Sequence, residues 1–145
     1  MYILIVEDDR LQYETIERSI LESNRLSKAR LERVKTELEF YEKFEEIAND
    51  NPTVILMDIM LKWTSKDRLV EPPPEVEEKG FYRAGLRCER MLASDKRTEK
   101  IPVLIYSVLG REDLEGEFEP RPQVKVLDKD FNAWGIERAI REVTA

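Results

Sequence analysis

Tyr2-Ile3-Leu4-Ile5-Val6-Glu7-Asp8-Asp9 is an unbroken run of apolar residues that ends abruptly in three acids. A strand that faces water on one side alternates apolar and polar residues. A strand apolar at every position is buried on both faces, as the strands of a parallel sheet are. Residues 54–57, 103–106 and 124–127 form three further short, nearly unbroken apolar runs rich in β-branched side chains, with room for helices between them. A weaker strand is expected near residues 31–35, because Thr36 and Glu39 resemble a capping box opening a helix around Phe40.

The intervening segments carry apolar residues at steps of three and four: Tyr13, Ile16 and Ile20; Phe40, Phe44 and Ile47; Phe81, Ala84, Cys88 and Met91; Ile136, Ala139, Ile140 and Val143. Each predicts a helix with one apolar stripe. Alternating strands and helices predict an α/β doubly wound sheet. Two stretches break the pattern. Residues 62–79 are charged and contain Pro72, Pro73 and Pro74, so a long exposed loop is expected there. Residues 110–122 contain two glycines and two prolines, which leaves space for only a short or irregular helix over about 111–117.

Composition narrows the function. The 145 residues are the length of one ordinary domain, and 24 Lys and Arg against 31 Asp and Glu leave a net charge of −7 with no basic run. Direct nucleic-acid binding is therefore not expected. The single cysteine, Cys88, cannot form an internal disulfide, and no signal-like start or membrane-length apolar run is present, so a cytoplasmic setting is expected. Histidine is absent, which excludes Ser-His-Asp hydrolysis, imidazole metal sites and a phosphohistidine carrier within this chain. The remaining candidates for chemistry are carboxylates, hydroxyls and lysine.

In open parallel sheets the binding edge lies at the strand carboxyl ends. Glu7, Asp8 and Asp9 follow the first apolar run, Asp58 the second, Ser107 the third and Lys129 the last. Any one of these could be ordinary loop polarity. As a set they are harder to dismiss, and their adjacent carboxylates on neighbouring strands repel one another, a repulsion that a hard divalent cation relieves. Mg²⁺ fits oxygen ligands from one or two carboxylates and bridges to phosphate oxygens.

The segments Ile3-Leu4-Ile5-Val6-Glu7-Asp8-Asp9, Val54-Ile55-Leu56-Met57-Asp58, Ile101-Pro102-Val103-Leu104-Ile105-Tyr106-Ser107 and Leu127-Asp128-Lys129 resemble, in order, the signatures of receiver domains of two-component response regulators. The resemblance implies a flavodoxin-like, five-stranded parallel sheet of order 2-1-3-4-5 with helices on both faces, forming one receiver domain over residues 1–145. It implies Asp58 as phospho-acceptor, and Glu7, Asp8, Asp58 and the Met60 backbone carbonyl as ligands of Mg²⁺, or of Mn²⁺. Ser107 would be the hydroxyl switch and Lys129 the phosphoryl-stabilising lysine. The implied partners are a sensor histidine kinase or histidine phosphotransfer protein and a downstream protein target, with a homodimer possible.

The chain also departs from the family's pattern. Asp130 stands where a proline in a cis peptide usually follows the lysine, and a trans bond is expected because a non-proline cis bond costs about 2.5–4 kcal/mol. Val126 stands where an aromatic usually couples to the hydroxyl residue. These departures leave open a pseudo-receiver that acts as a phosphorylation-independent interaction module. Two other readings fit poorly. A haloacid-dehalogenase-like phosphatase needs an acid at Met60, and a flavodoxin-type flavin site would not place three acids after the first strand.

The insertion at 62–79 is open to two readings, a gate over the Asp58 pocket or a solvated loop. Trp63 is either its anchor or a partner contact. Cys88 is expected in the core, Trp134 in packing, and the acidic run 37–46 on a solvated helix face.

Overall fold

The computed structural model describes residues 1–107, 121–128 and 133–145. Five strands, β1 (Tyr2–Val6), β2 (Arg30–Val34), β3 (Val54–Asp58), β4 (Val103–Ser107) and β5 (Val124–Asp128), form one sheet in the order β2-β1-β3-β4-β5. Every pairing is parallel. The described helices are α1 (Arg10–Leu21), α2 (Glu37–Glu42), α3 (Phe44–Asn49), α4 (Pro74–Lys79), α5 (Ala84–Ala93) and α6 (Ala133–Thr144).

The pleat divides the apolar strand residues between two cores. Ile3, Ile5, Val54, Leu56, Leu104 and Tyr106 face one way and pack with Ile16 and Ile20 of α1 and Ile136, Ala139 and Ile140 of α6. Leu4, Val6, Ile55, Met57, Val103 and Ile105 face the other and pack with Phe40, Phe44, Ile47, Ala84, Cys88 and Leu92 from α2, α3 and α5. Each fully buried aliphatic side chain contributes roughly 1.5–3 kcal/mol. These two layers are the reason β1, β3 and β4 read as continuous apolar runs.

β2 reads differently because it is an edge strand, with Arg30 and Glu32 exposed and Val34 buried. It starts and ends one residue before the stretch expected from sequence, and charged side chains on a sheet edge discourage pairing with other chains. Thr36 caps α2 by accepting the Glu39 amide at 3.1 Å, as the capping pattern predicts. The single helix expected around Phe40 is instead two short ones, broken at Lys43 (φ −93°, ψ 3°).

Residues 62–79 do not form a wholly exposed loop. Their last six residues are the helix α4, which begins at Pro74 and buries Val76. Proline breaks a helix interior but suits its first position, where φ near −65° is already helical and no N–H is needed. Gly80 ends the turn at φ 72°. Trp63 anchors the segment, its indole N–H donating to the Val70 carbonyl at 3.0 Å and its ring lying 6.0 Å from Tyr41. Arg68 pairs with Glu42, and Arg90 with Glu75, so the segment docks along α2 and α5.

The acidic run 37–46 is also not a uniformly solvated face. Glu37 is fully buried and accepts two bonds from Arg87, from Nε at 2.8 Å and Nη2 at 2.7 Å, and one from the Tyr41 hydroxyl at 2.5 Å. Arg87 sits on the buried side of α5 with Ala84 and Cys88, where its guanidinium meets Glu37. Among the described residues no helix is long and apolar enough to cross a membrane.

Candidate functional site

Three strand ends converge at the carboxyl edge of the sheet. Period-two alternation carries Ile3 and Ile5 on to Glu7, and Val54 and Leu56 on to Asp58, so both carboxylates project on the face that holds Tyr106. Asp58 is the register partner of Tyr106. Glu7 and Asp58 are 0% and 2% exposed, values that matter because a carboxylate so placed needs a compensating charge or donors. One carboxylate oxygen from each of Glu7, Asp8 and Asp58 lies within 4.8 Å of the others.

Local donors fix each acid. The Asp9 amide donates to Glu7 Oε1 at 3.1 Å, the Lys62 amide to Asp8 Oδ2 at 3.0 Å and the Met60 amide to Asp58 Oδ1 at 3.3 Å. Asp9 plays a different part. It is the N-cap of α1, accepting the amides of Leu11 at 2.8 Å and Gln12 at 3.2 Å, and so sets where that helix leaves the site.

The acids open onto a pocket of about 580 Å³, lined also by Arg10, Met60, Lys62 and Phe81. Phe81 was expected on the apolar stripe of a helix. It lies instead in the 3-10 turn Phe81–Arg83 that precedes α5, is 49% exposed, and forms part of the pocket wall. Gly85 brings α5 against the end of β3, its amide donating to the Ile59 carbonyl at 2.8 Å. A Cβ there would stand 2.1 Å from the Asp58 carbonyl oxygen.

Tyr106 is the residue that sequence reasoning missed. Its hydroxyl donates to Glu7 Oε2 at 2.7 Å from full burial. Burial first, then the negative charges of Glu7 and Asp58, push this phenol well above its usual range, so it remains a donor. In sequence it is one more apolar position of a strand; the only hint is a hydroxyl at the last buried place before Ser107.

An oxygen-only donor set of three carboxylates suits a hard divalent cation such as Mg²⁺ or Mn²⁺, and does not suit a soft ion. The backbone of Ser107 ends β4 beside Asp128 of β5. Lys129, Asp130, the short helix expected over 111–117 and the side chains of Ser107 and Trp134 lie outside the described residues.

Known structures share this arrangement of strands and helices. A signal receiver domain of a histidine kinase from Syntrophus aciditrophicus superposes with a TM-score of 0.69 at 18% identity, covering 99% of this chain and 89% of that one. The fold is that of receiver domains. A second such domain, from Clostridium thermocellum, gives a TM-score of 0.65 at 18% identity over 99% and 96% of the two chains. The Mn(2+)-bound form of response regulator Rcp1 gives 0.62 at 17% over 99% and 88%. No protein-family model and no curated protein sequence matches the chain. The receiver fold places Glu7, Asp8 and Asp58 at the carboxyl edge of its sheet, the edge where parallel α/β sheets bind ligands.

Proposed function

We propose that this chain is a phospho-acceptor receiver that takes a phosphoryl group onto Asp58 and passes the signal to a protein partner by a change of shape. The observation that carries this reading is the convergence of Glu7, Asp8 and Asp58 within 4.8 Å on a receiver fold. In the reaction a Asp58 carboxylate oxygen attacks phosphorus as the P–N bond of a phosphohistidine donor breaks. The donor is a sensor histidine kinase or a histidine phosphotransfer protein, since this chain has no histidine. The chain acts as a regulatory phospho-acceptor rather than as an enzyme on a separate substrate.

A carboxylate and a phosphoryl group are both anionic, so positive charge and donors at the transferring oxygens lower the barrier. A divalent ion, Mg²⁺ or Mn²⁺, would be held by Glu7, Asp8, Asp58 and the Met60 carbonyl and would supply part of that charge. Lys129 supplies the rest and Ser107 donates to the new acceptor oxygens once Asp58 carries the acyl phosphate. The amide of Met60 orients Asp58, and that of Lys62 holds Asp8.

Intact mass after incubation with Mg²⁺ and acetyl phosphate tests this reading. A phosphoryl-sized gain in the wild type that Asp58→Asn lacks is the expected result. A wild type that gains nothing, and whose melting temperature does not respond to Mg²⁺ or to a beryllofluoride mimic, would sink it. That result would favour the second reading, a phosphorylation-independent interaction module, which the non-aromatic Val126 on β5 supports.

A further inference from the structure

The reading above gives no role to the Tyr106 hydroxyl, although it reaches the acidic cluster from inside the sheet. We propose that Tyr106 is a positioning residue for Glu7, so that divalent-ion affinity depends on a phenol set two strands away. This inference rests on the metal-binding reading of the site and adds to it a residue outside the ligand set.

Among the described residues the Glu7 carboxylate is held by different oxygens: the Tyr106 hydroxyl donates to Oε2 at 2.7 Å and the Asp9 amide to Oε1 at 3.1 Å. A planar group held at both oxygens cannot rotate freely. The hydroxyl itself is fixed, because the ring is packed among Ile5, Leu56 and Leu104 and is 1% exposed. β3 lies between β1 and β4, so the side chain must cross beside Asp58 to reach Glu7. A serine or threonine is too short for that span, and phenylalanine spans it without a donor. Removing the hydroxyl takes one short hydrogen bond from Glu7, which stays buried beside Asp8 and Asp58. The carboxylate then turns or shifts away from like charge, and the arrangement that receives the ion is no longer ready-made.

Mg²⁺ and Mn²⁺ titrations of the full chain test this. Tyr106→Phe should weaken binding roughly 10–100-fold, the range seen when partners of metal ligands are removed. In the wild type, ion binding should perturb a tyrosine ultraviolet difference band through the Tyr106–Glu7 bond, and Glu7→Gln at saturating ion should lose that perturbation. In a Glu7→Gln background, Tyr106→Phe should change affinity little, because the charge it positions is gone. Wild-type affinity in Tyr106→Phe, or an equal loss in both backgrounds, overturns the inference while leaving the site reading intact. Wild-type protein that binds neither ion overturns both. A metal-free melting temperature for Tyr106→Phe near that of the wild type confirms a folded variant; if the variant is unfolded, loss of the wild-type difference band in Glu7→Gln supplies the support, and its persistence the refutation.

Discussion

Gly85 and Asp58 are in backbone contact: the α5 residue stands so close to the end of β3 that a single added carbon would lie 2.1 Å from the Asp58 carbonyl oxygen. The neighbouring bond, from the Gly85 amide to the Ile59 carbonyl at 2.8 Å, ties the helix to the residue after Asp58. Gly85→Ala must therefore move backbone rather than a flexible side-chain tip. Overpacking of this kind costs about 1–3 kcal/mol. We expect a lower melting temperature together with weaker Mg²⁺ binding; a variant with wild-type values for both would mean that α5 does not set the Asp58 position.

Glu7, Asp8 and Asp58 bring like charges within 4.8 Å of one another, a repulsion that a bound cation relieves. Asp8→Asn removes one of the three charges and keeps an oxygen for the Lys62 amide. In metal-free buffer this variant should melt no lower than the wild type. With ion at a hundredfold excess over its dissociation constant, the wild type should gain about 2.7 kcal/mol and the variant much less. Thermal melts with and without Mg²⁺ check the reversal.

The chain offers a direct contrast between ion pairs. Arg87–Glu37 is buried, with the two side chains 5% and 0% exposed, whereas Arg68–Glu42 lies at the surface at 45% and 46%. Arg87→Met leaves Glu37 charged and uncompensated, a loss of about 3–5 kcal/mol. Adding Glu37→Met should restore most of it. Arg68→Ala should cost at most about 1 kcal/mol and less in high salt. Denaturant melts of the three variants decide; equal losses at the two arginines would contradict the assignment of burial.

Cys88 is fully buried in the core, and burial, reinforced by nearby Glu37, pushes its thiol well above its usual range. A protonated, enclosed thiol is a poor nucleophile. Labelling by a thiol reagent in native buffer should therefore be slow and should accelerate with denaturant as the fold opens. Rapid labelling of the native protein would place Cys88 at the surface.

For the segment 62–79, the gating idea formed on its closeness to Asp58 meets a different geometry. Lys62 lines the pocket, but Trp63 lies against Tyr41 of α2, Arg68 pairs with Glu42 and Glu75 with Arg90 of α5, and Val76 is buried. Val76→Asp should undock α4 and lower stability by about 1–3 kcal/mol while leaving Mg²⁺ affinity within a few-fold. A large loss of affinity would return the segment to the site.

Much of this protein is written locally. The runs ending at Glu7 and Asp58 disclose buried parallel strands and place acids at the binding edge, because strand burial and strand ends are properties of a few consecutive residues. Thr36 and Glu39 announce the start of α2 for the same reason. Pro74 misled, since a proline that forbids a helix interior also suits a helix start, and only the burial of Val76 tells them apart. Phe81 fitted a helical period by spacing but falls in the turn before the helix.

By itself, then, the amino-acid order determined that alternating strands and helices form a parallel sheet with an acidic rim. Only the tertiary structure decided that Tyr106 reaches Glu7 and that Arg87 meets Glu37, pairs 99 and 50 residues apart. The physical reason is range: backbone preference and apolar period act over one or two turns, whereas a hydrogen bond between distant side chains exists only after strand order and helix rotation have been set by packing.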